Sequence, residues 1–155
     1  MWQRIQTLYL SIAIVLNLIM HSLNLASIKA DGLFNDFTLW GLVSADSGAL
    51  IYSSYPLLGL NLFSVLVSLI IIFLFKKRQL QIKLSQLNLF IQAGLVAAIF
   101  FTVDAAATDL NVQAEGAVEY GPATLISLVP LIFIYLAIRA IKKDEALVRA
   151  ADRVR

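Results

Sequence analysis

Residues 56–75 and 84–103 contain no charged side chain. A helix rises ~1.5 Å per residue and the hydrocarbon core of a bilayer is ~30 Å thick, so a span needs about 20 mostly apolar residues. Both segments meet that requirement, and residues 8–25 and 123–138 do so almost as well. Four such segments take up about half of a chain of 155 residues. Composition points the same way: 60% of residues are hydrophobic and 14% charged, with a mean hydropathy of +0.84. Soluble domains average nearer ~45–50% and ~25%. The expected fold class is therefore an all-α membrane protein, a four-transmembrane-helix bundle forming one domain over residues 1–155.

The span ends are marked. Pro56 and Pro122 stand at helix starts, where a missing N–H costs nothing. Lys76, Lys77 and Arg78 stop the second span, Asp104 closes the third, and Arg139, Lys142 and Lys143 close the fourth. Charge between the spans alternates. The 26–55 loop carries Lys29 against Asp31, Asp36 and Asp46. The 76–83 connection carries four bases and no acid, and the 104–122 loop carries Asp104, Asp109, Glu115 and Glu119 with no base. Basic residues collect on the cytoplasmic side of membrane proteins. The expectation is thus a multi-pass membrane protein with both termini and the 76–83 connection in the cytoplasm. A cleaved signal peptide is the competing reading of residues 8–25, but Asn24-Leu25-Ala26-Ser27 makes a poor cleavage site.

The first outer loop is long, and two of its runs, 33–43 and 49–55, are rich in aromatic and β-branched residues on either side of Asp46-Ser47-Gly48. They predict a short β-hairpin, either as a binding cap or as a lid anchored by Trp40, Tyr52 and Tyr55. The acids of 104–122 read as a cation-attracting rim or as the outer half of the charge rule. The tail, 139–155, continues helically with an apolar stripe through Ile141, Leu147, Val148, Ala151 and Val154. It reads as a cytoplasmic helix that docks a partner or rests on anionic lipid. Arg4, Lys142, Lys143, Glu145, Arg149 and Arg153 are the candidate docking residues, and Arg4 is expected to pair with Asp144 or Glu145.

Polar residues inside spans reveal the faces that avoid lipid. Gln81, Ser85, Asn88 and Gln92 recur at spacings of 4, 3 and 4; Asn17, His21 and Asn24 at 4 and 3; Asn61, Ser64 and Ser68 at 3 and 4. Stacked by depth, His21, Asn24 and Asn61 form an outer layer. Asn17, Ser68 and Gln92 lie near the midplane, and Ser85, Asn88 and Tyr135 towards the cytoplasm. Asn17, His21, Asn61, Ser68, Ser85, Asn88 and Gln92 are the candidate interior set, lining a cavity or fixing helix register. The small pairs Gly94/Ala98, Ala93/Ala97 and Ser64/Ser68 suit close helix approach or dimerisation. Pro130 lies inside the fourth span and should kink it, freeing the carbonyl of Ile126.

Several classes are excluded. With no cysteine there is no disulfide, thiol catalysis or thiolate metal site, and a single histidine rules out multi-histidine metal and bis-histidine haem sites. A net charge of +2 does not suggest nucleic acid. No acid or base lies deep in a span to relay a proton from His21, and no nucleophile–base pair, phosphate loop or carboxylate pair is visible. No catalytic residue, metal or cofactor is expected.

The opening Met1-Trp-Gln-Arg-Ile-Gln-Thr-Leu-Tyr-Leu10 and the ending Arg139 to Arg155 resemble a bacterial family of small four-span inner-membrane proteins, domain of unknown function 4293. The resemblance covers essentially the whole chain. It implies the topology above and brings no activity. Its distinctive segments, Gln3 to Thr7 and the tail, fall on the cytoplasmic side. The expected role is a non-enzymatic accessory or scaffold subunit with a cytoplasmic docking surface, partnered by the bilayer and by a protein or a second copy. The alternative is a small-molecule or lipid carrier using the polar interior; a membrane enzyme would need a polar constellation that is not seen.

Overall fold

The computed structural model describes residues 5–30, 32–112 and 116–152. Its elements run α1 (Ile5–Ile19), β1 (Ala26–Ala30), β2 (Leu33–Phe37), β3 (Gly41–Val43) and β4 (Leu50–Ser53). They continue with α2 (Tyr55–Phe73), α3 (Arg78–Asp109), β5 (Val118–Tyr120), α4 (Pro122–Ile126) and α5 (Val129–Asp152). The expected all-α architecture is overturned. Five strands form one antiparallel sheet in the order β4-β3-β2-β1-β5, so the fold is mixed, helices and sheet together.

The local reasons for the sheet are visible strand by strand. In β1, Ala26 and Ile28 are buried while Lys29 is exposed; in β2, Asn35 and Phe37 are buried while Phe34 and Asp36 are exposed. This is the period-2 alternation of a sheet with one covered face. Residues 33–43, expected as one strand, are two, folded back at Thr38 to Gly41 by paired main-chain hydrogen bonds. Gly41 sits there at φ +142°, where an added Cβ would lie 2.0 Å from the Tyr52 carbonyl oxygen. The fifth strand comes from the acidic 104–122 loop. Val118 to Tyr120 pairs with Ile28 to Ala26, and Gly121 N–H extends that ladder to the Leu25 carbonyl at 2.8 Å.

The helices also depart from the expected bounds. The first ends at Ile19 with a single 3₁₀ turn, Met20–Ser22, because the chain must enter β1 at Ala26. The third is extended at both ends, over Arg78–Asp109. The last is broken at Ser127 and Leu128, with Pro130 second in α5. Proline lacks the N–H that would have reached the Ile126 carbonyl. α1 packs on α2 and α5, and α3 packs on the same two, so α1 and α3 face each other diagonally. The sheet lies across one end of the helices. Its buried Ile28, Phe37, Leu39 and Leu42 form one cluster with Leu57 of α2 and Leu95, Ile99 and Val103 of α3. The opposite, distal end holds the short α2–α3 turn and the tail of α5.

Four helical segments, Ile5–Ser22, Tyr55–Phe73, Arg78–Asp109 and Pro122–Val148, are long and apolar enough to cross a membrane, which is compatible with a membrane protein. Their outward faces carry Leu66, Phe73, Phe90, Phe101 and Ile132, all more than half exposed. Their inward faces carry Asn, Gln and Ser. Large apolar side chains exposed in this number are uncommon on soluble monomers, which agrees with that compatibility. Gly94, Ala93 and Ala97 lie on the exposed face, and nothing approaches within 4 Å of a Cβ placed on Gly94, so this stripe makes no close helix contact within the chain.

Candidate functional site: a buried amide network and a basic groove

Seven side chains join across the interior. His21 Nε2 lies 3.1 Å from Asn61 Oδ1. Asn61 Nδ2 donates to Asn17 Oδ1 at 3.4 Å. Asn17 and Gln92 then pair reciprocally, each carboxamide donating to the other at 3.2 Å, which bridges the diagonal between α1 and α3. Ser64 Oγ stands 3.0 Å from both Gln92 Oε1 and Asn88 Oδ1, and its single proton serves one of them at a time. Asn88 Nδ2 donates to Ser68 Oγ at 2.7 Å. Gln92 Nε2 also reaches the Ser127 carbonyl at 3.3 Å, where the last helix is broken. Asn17, Asn61, Ser64, Ser68, Asn88 and Gln92 are all 0% exposed.

The periodicity that places them is simple. Three- and four-residue steps on a helix return to one face. What the amides can do chemically is narrow: they hold and orient, and they carry no titratable proton. His21 ends the network on the side of the sheet, and its ring meets Trp40 edge-on at 6.3 Å. Among the described residues no three His, Asp or Glu side chains gather as metal ligands would.

Two candidates play other parts. Ser85 donates to the Gln81 carbonyl of its own helix at 2.8 Å and makes no bridge. Gln81 donates to the Ile71 carbonyl at 2.9 Å, satisfying one of the orphan acceptors at the end of α2. Two residues placed in the depth layers fall away from the interior: Asn24 and Tyr135 are exposed. Ser64, outside the candidate set, is central. Gln6 also escaped attention, because it precedes Leu8, where the first span was expected to begin. Its Oε1 and that of Gln81 are buried without a hydrogen-bond partner.

At the sheet end, Tyr120 donates from its hydroxyl to Asp104 Oδ1 at 3.3 Å. Burial, and then the negative charge and hydrogen bond of Asp104, hold the phenol above its ordinary range.

At the distal end the α2–α3 turn meets the start of the tail. Arg78 Nη1 donates to the Asp144 carbonyl at 2.9 Å, and Gln79 donates to the Glu145 carboxylate. Between them lies a groove of about 670 Å³ lined by Lys76, Lys77, Arg78, Gln79, Leu80, Glu145 and Val148. Lys142 and Lys143 are exposed, as are Leu147 and Val148. Arg4 and Arg153 lie outside the described residues, as does the side chain of Arg149, so the expected Arg4 pairing with the tail falls there too.

Four long apolar helices under a small antiparallel sheet, joined inside by carboxamides, define a mixed helix-and-sheet class that is compatible with a membrane protein. The chain belongs to the family described as Domain of unknown function (DUF4293), whose sequence profile matches residues 2–154. A search of curated proteins finds no matching sequence.

Proposed function

We propose that the protein is a non-enzymatic accessory subunit of the bacterial inner membrane. It crosses the bilayer four times, keeps both termini and the α2–α3 turn in the cytoplasm, holds its sheet on the outer side, and presents the α5 tail to a cytosolic protein partner. The distribution of charge supports this orientation: Lys76, Lys77, Arg78, Lys142 and Lys143 crowd the distal end, while Asp104, Asp109 and Glu119 stand at the sheet end.

One observation carries the choice of role. Asn17, Asn61, Ser64, Ser68, Asn88 and Gln92 are fully buried and spend hydrogen bonds on one another, a state that suits fixing helix register rather than admitting a ligand. The exposed apolar side chains of the tail, Leu147 and Val148, have no such covering. The turn contacts of Arg78 and Gln79 brace this part of α5 at its root.

The test is purification from native membranes in mild detergent, with a chain truncated after Lys143 and a Leu147→Glu variant alongside. A stoichiometric protein recovered with the intact chain and lost from both variants is the expected result. A homogeneous oligomer without a partner, unchanged by either alteration, would sink the reading.

A further inference from the structure

The basic groove at the distal end has an apolar continuation. A second groove, about 340 Å³, is lined by Phe73, Leu74, Lys76, Lys77 and Leu80. It shares Lys76, Lys77 and Leu80 with the first. One concavity therefore passes from cationic to apolar within a single turn of chain. We propose that it is a binding site for one anionic phospholipid. The phosphodiester sits among Lys76, Lys77 and Arg78, and an acyl chain lies along Phe73, Leu74 and Leu80.

Charge favours an anion. Three cations line the wider groove, and its single acid, Glu145, already accepts from Gln79. Arg78 is held by a main-chain carbonyl, which orients the guanidinium without neutralising it. A guanidinium fixed in this way suits a phosphate oxygen. Lys76 Nζ lies over the Phe75 ring, 5.9 Å from its centre, so cation and aromatic face already meet in this part of the turn.

The apolar half selects lipid over a soluble phosphate. Phe73 is 74% exposed on the outward face of α2, beside Leu80 on α3. A free phosphate would leave that surface uncovered, whereas an acyl chain covers it. The inference rests on the cytoplasmic placement of the turn proposed above, which sets these bases at the headgroup level of the leaflet where anionic lipids concentrate.

The experiment is native mass spectrometry of the full-length protein in a mild detergent, titrated with phosphatidylglycerol, phosphatidylcholine or glycerol phosphate. The expected result is one phosphatidylglycerol retained in clear preference to phosphatidylcholine. The double variant Lys76→Gln/Lys77→Gln should weaken that retention about thirtyfold, or ~2 kcal/mol for the loss of two interfacial bases near an anionic surface. Lys76→Arg/Lys77→Arg should restore it, and Phe73→Ser should weaken it without altering the melting temperature in detergent. Equal retention of the two lipids, or indifference to the charge variants, would overturn the proposal. Full displacement of phosphatidylglycerol by glycerol phosphate would overturn it in favour of a soluble phosphate. Orientation does not enter a measurement made in detergent. A turn found outside the cell would therefore defeat the topology while leaving lipid retention to be judged on its own.

Discussion

Asn17 and Gln92 satisfy each other across the widest separation in the interior, and Asn17 Oδ1 accepts from Asn61 as well. Either residue changed to leucine takes a buried partner from the other's amide N–H while its remaining bonds persist, at a cost of about 1–3 kcal/mol. The coupling measured by a double-mutant cycle should be smaller, about 0.6 kcal/mol and at most ~1.7, because amides in a membrane find partners in the unfolded state too. Ser85→Ala should cost under about 0.5 kcal/mol, since its hydroxyl only returns to its own helix. Unfolding in mixed detergent micelles reads all four values, and a Ser85→Ala loss equal to that of Gln92→Leu would contradict this division. Tyr120 gives a pH dependence. Its phenol is raised in the folded state, so its contribution is complete below the unfolded value of about 10 and is lost as pH climbs through the folded one. Tyr120→Phe should flatten the alkaline limb of stability above about pH 10 and leave neutral pH almost unchanged; an unaltered limb would show that other groups govern it. Much of the interior was legible from spacing. The 4-3-4 series in α3 marks a single face, and all four of its residues are buried. Partner choice was not legible, because depth along one helix does not tell which neighbour leans nearest: Ser68 meets Asn88 rather than Gln92.

Among the elements, β5 is the most informative, because its partner β1 lies on the far side of two long helices in sequence. Ser27 and Glu119 stand opposite each other across that ladder. Opposed residues in an antiparallel pair have Cα atoms about 5.5 Å apart at the wider positions, within reach of a disulfide. The chain has no cysteine of its own, so Ser27→Cys/Glu119→Cys can be examined without background. It should form an intramolecular disulfide when expressed in an oxidising compartment, and a Ser27→Cys/Ser47→Cys control should not. Persistent free thiols in the first variant would refute the register. The hairpin expected over 33–55 held only part of this sheet. Short strands with pairings this distant leave no local trace: Val118 to Tyr120 reads as a loop until Ile28 lies beside it. The overextended first span has a related cause. Leu23 and Leu25 are as apolar as any span residue, yet Leu25 packs into the core beneath the sheet.

For the whole molecule, the helices turn large apolar side chains outwards and carry their carboxamides inside among buried apolar residues, and the sheet closes one end. If the proposed orientation holds, Ser47→Cys should react with an impermeant maleimide on intact cells, while Lys143→Cys should react only after permeabilisation; both positions are exposed. Equal labelling of the two would remove the topology. The amino-acid sequence by itself determined the four apolar helices, the alternation of charge between them and the polar face of each, because these depend on composition and on the fixed period of the helix. Only the tertiary structure decided the sheet, the exchange of amides between α1 and α3, and the meeting of the α2–α3 turn with the tail. Each of those is a contact between residues distant in sequence, and such a contact is set by how the helices pack rather than by any local preference of the chain.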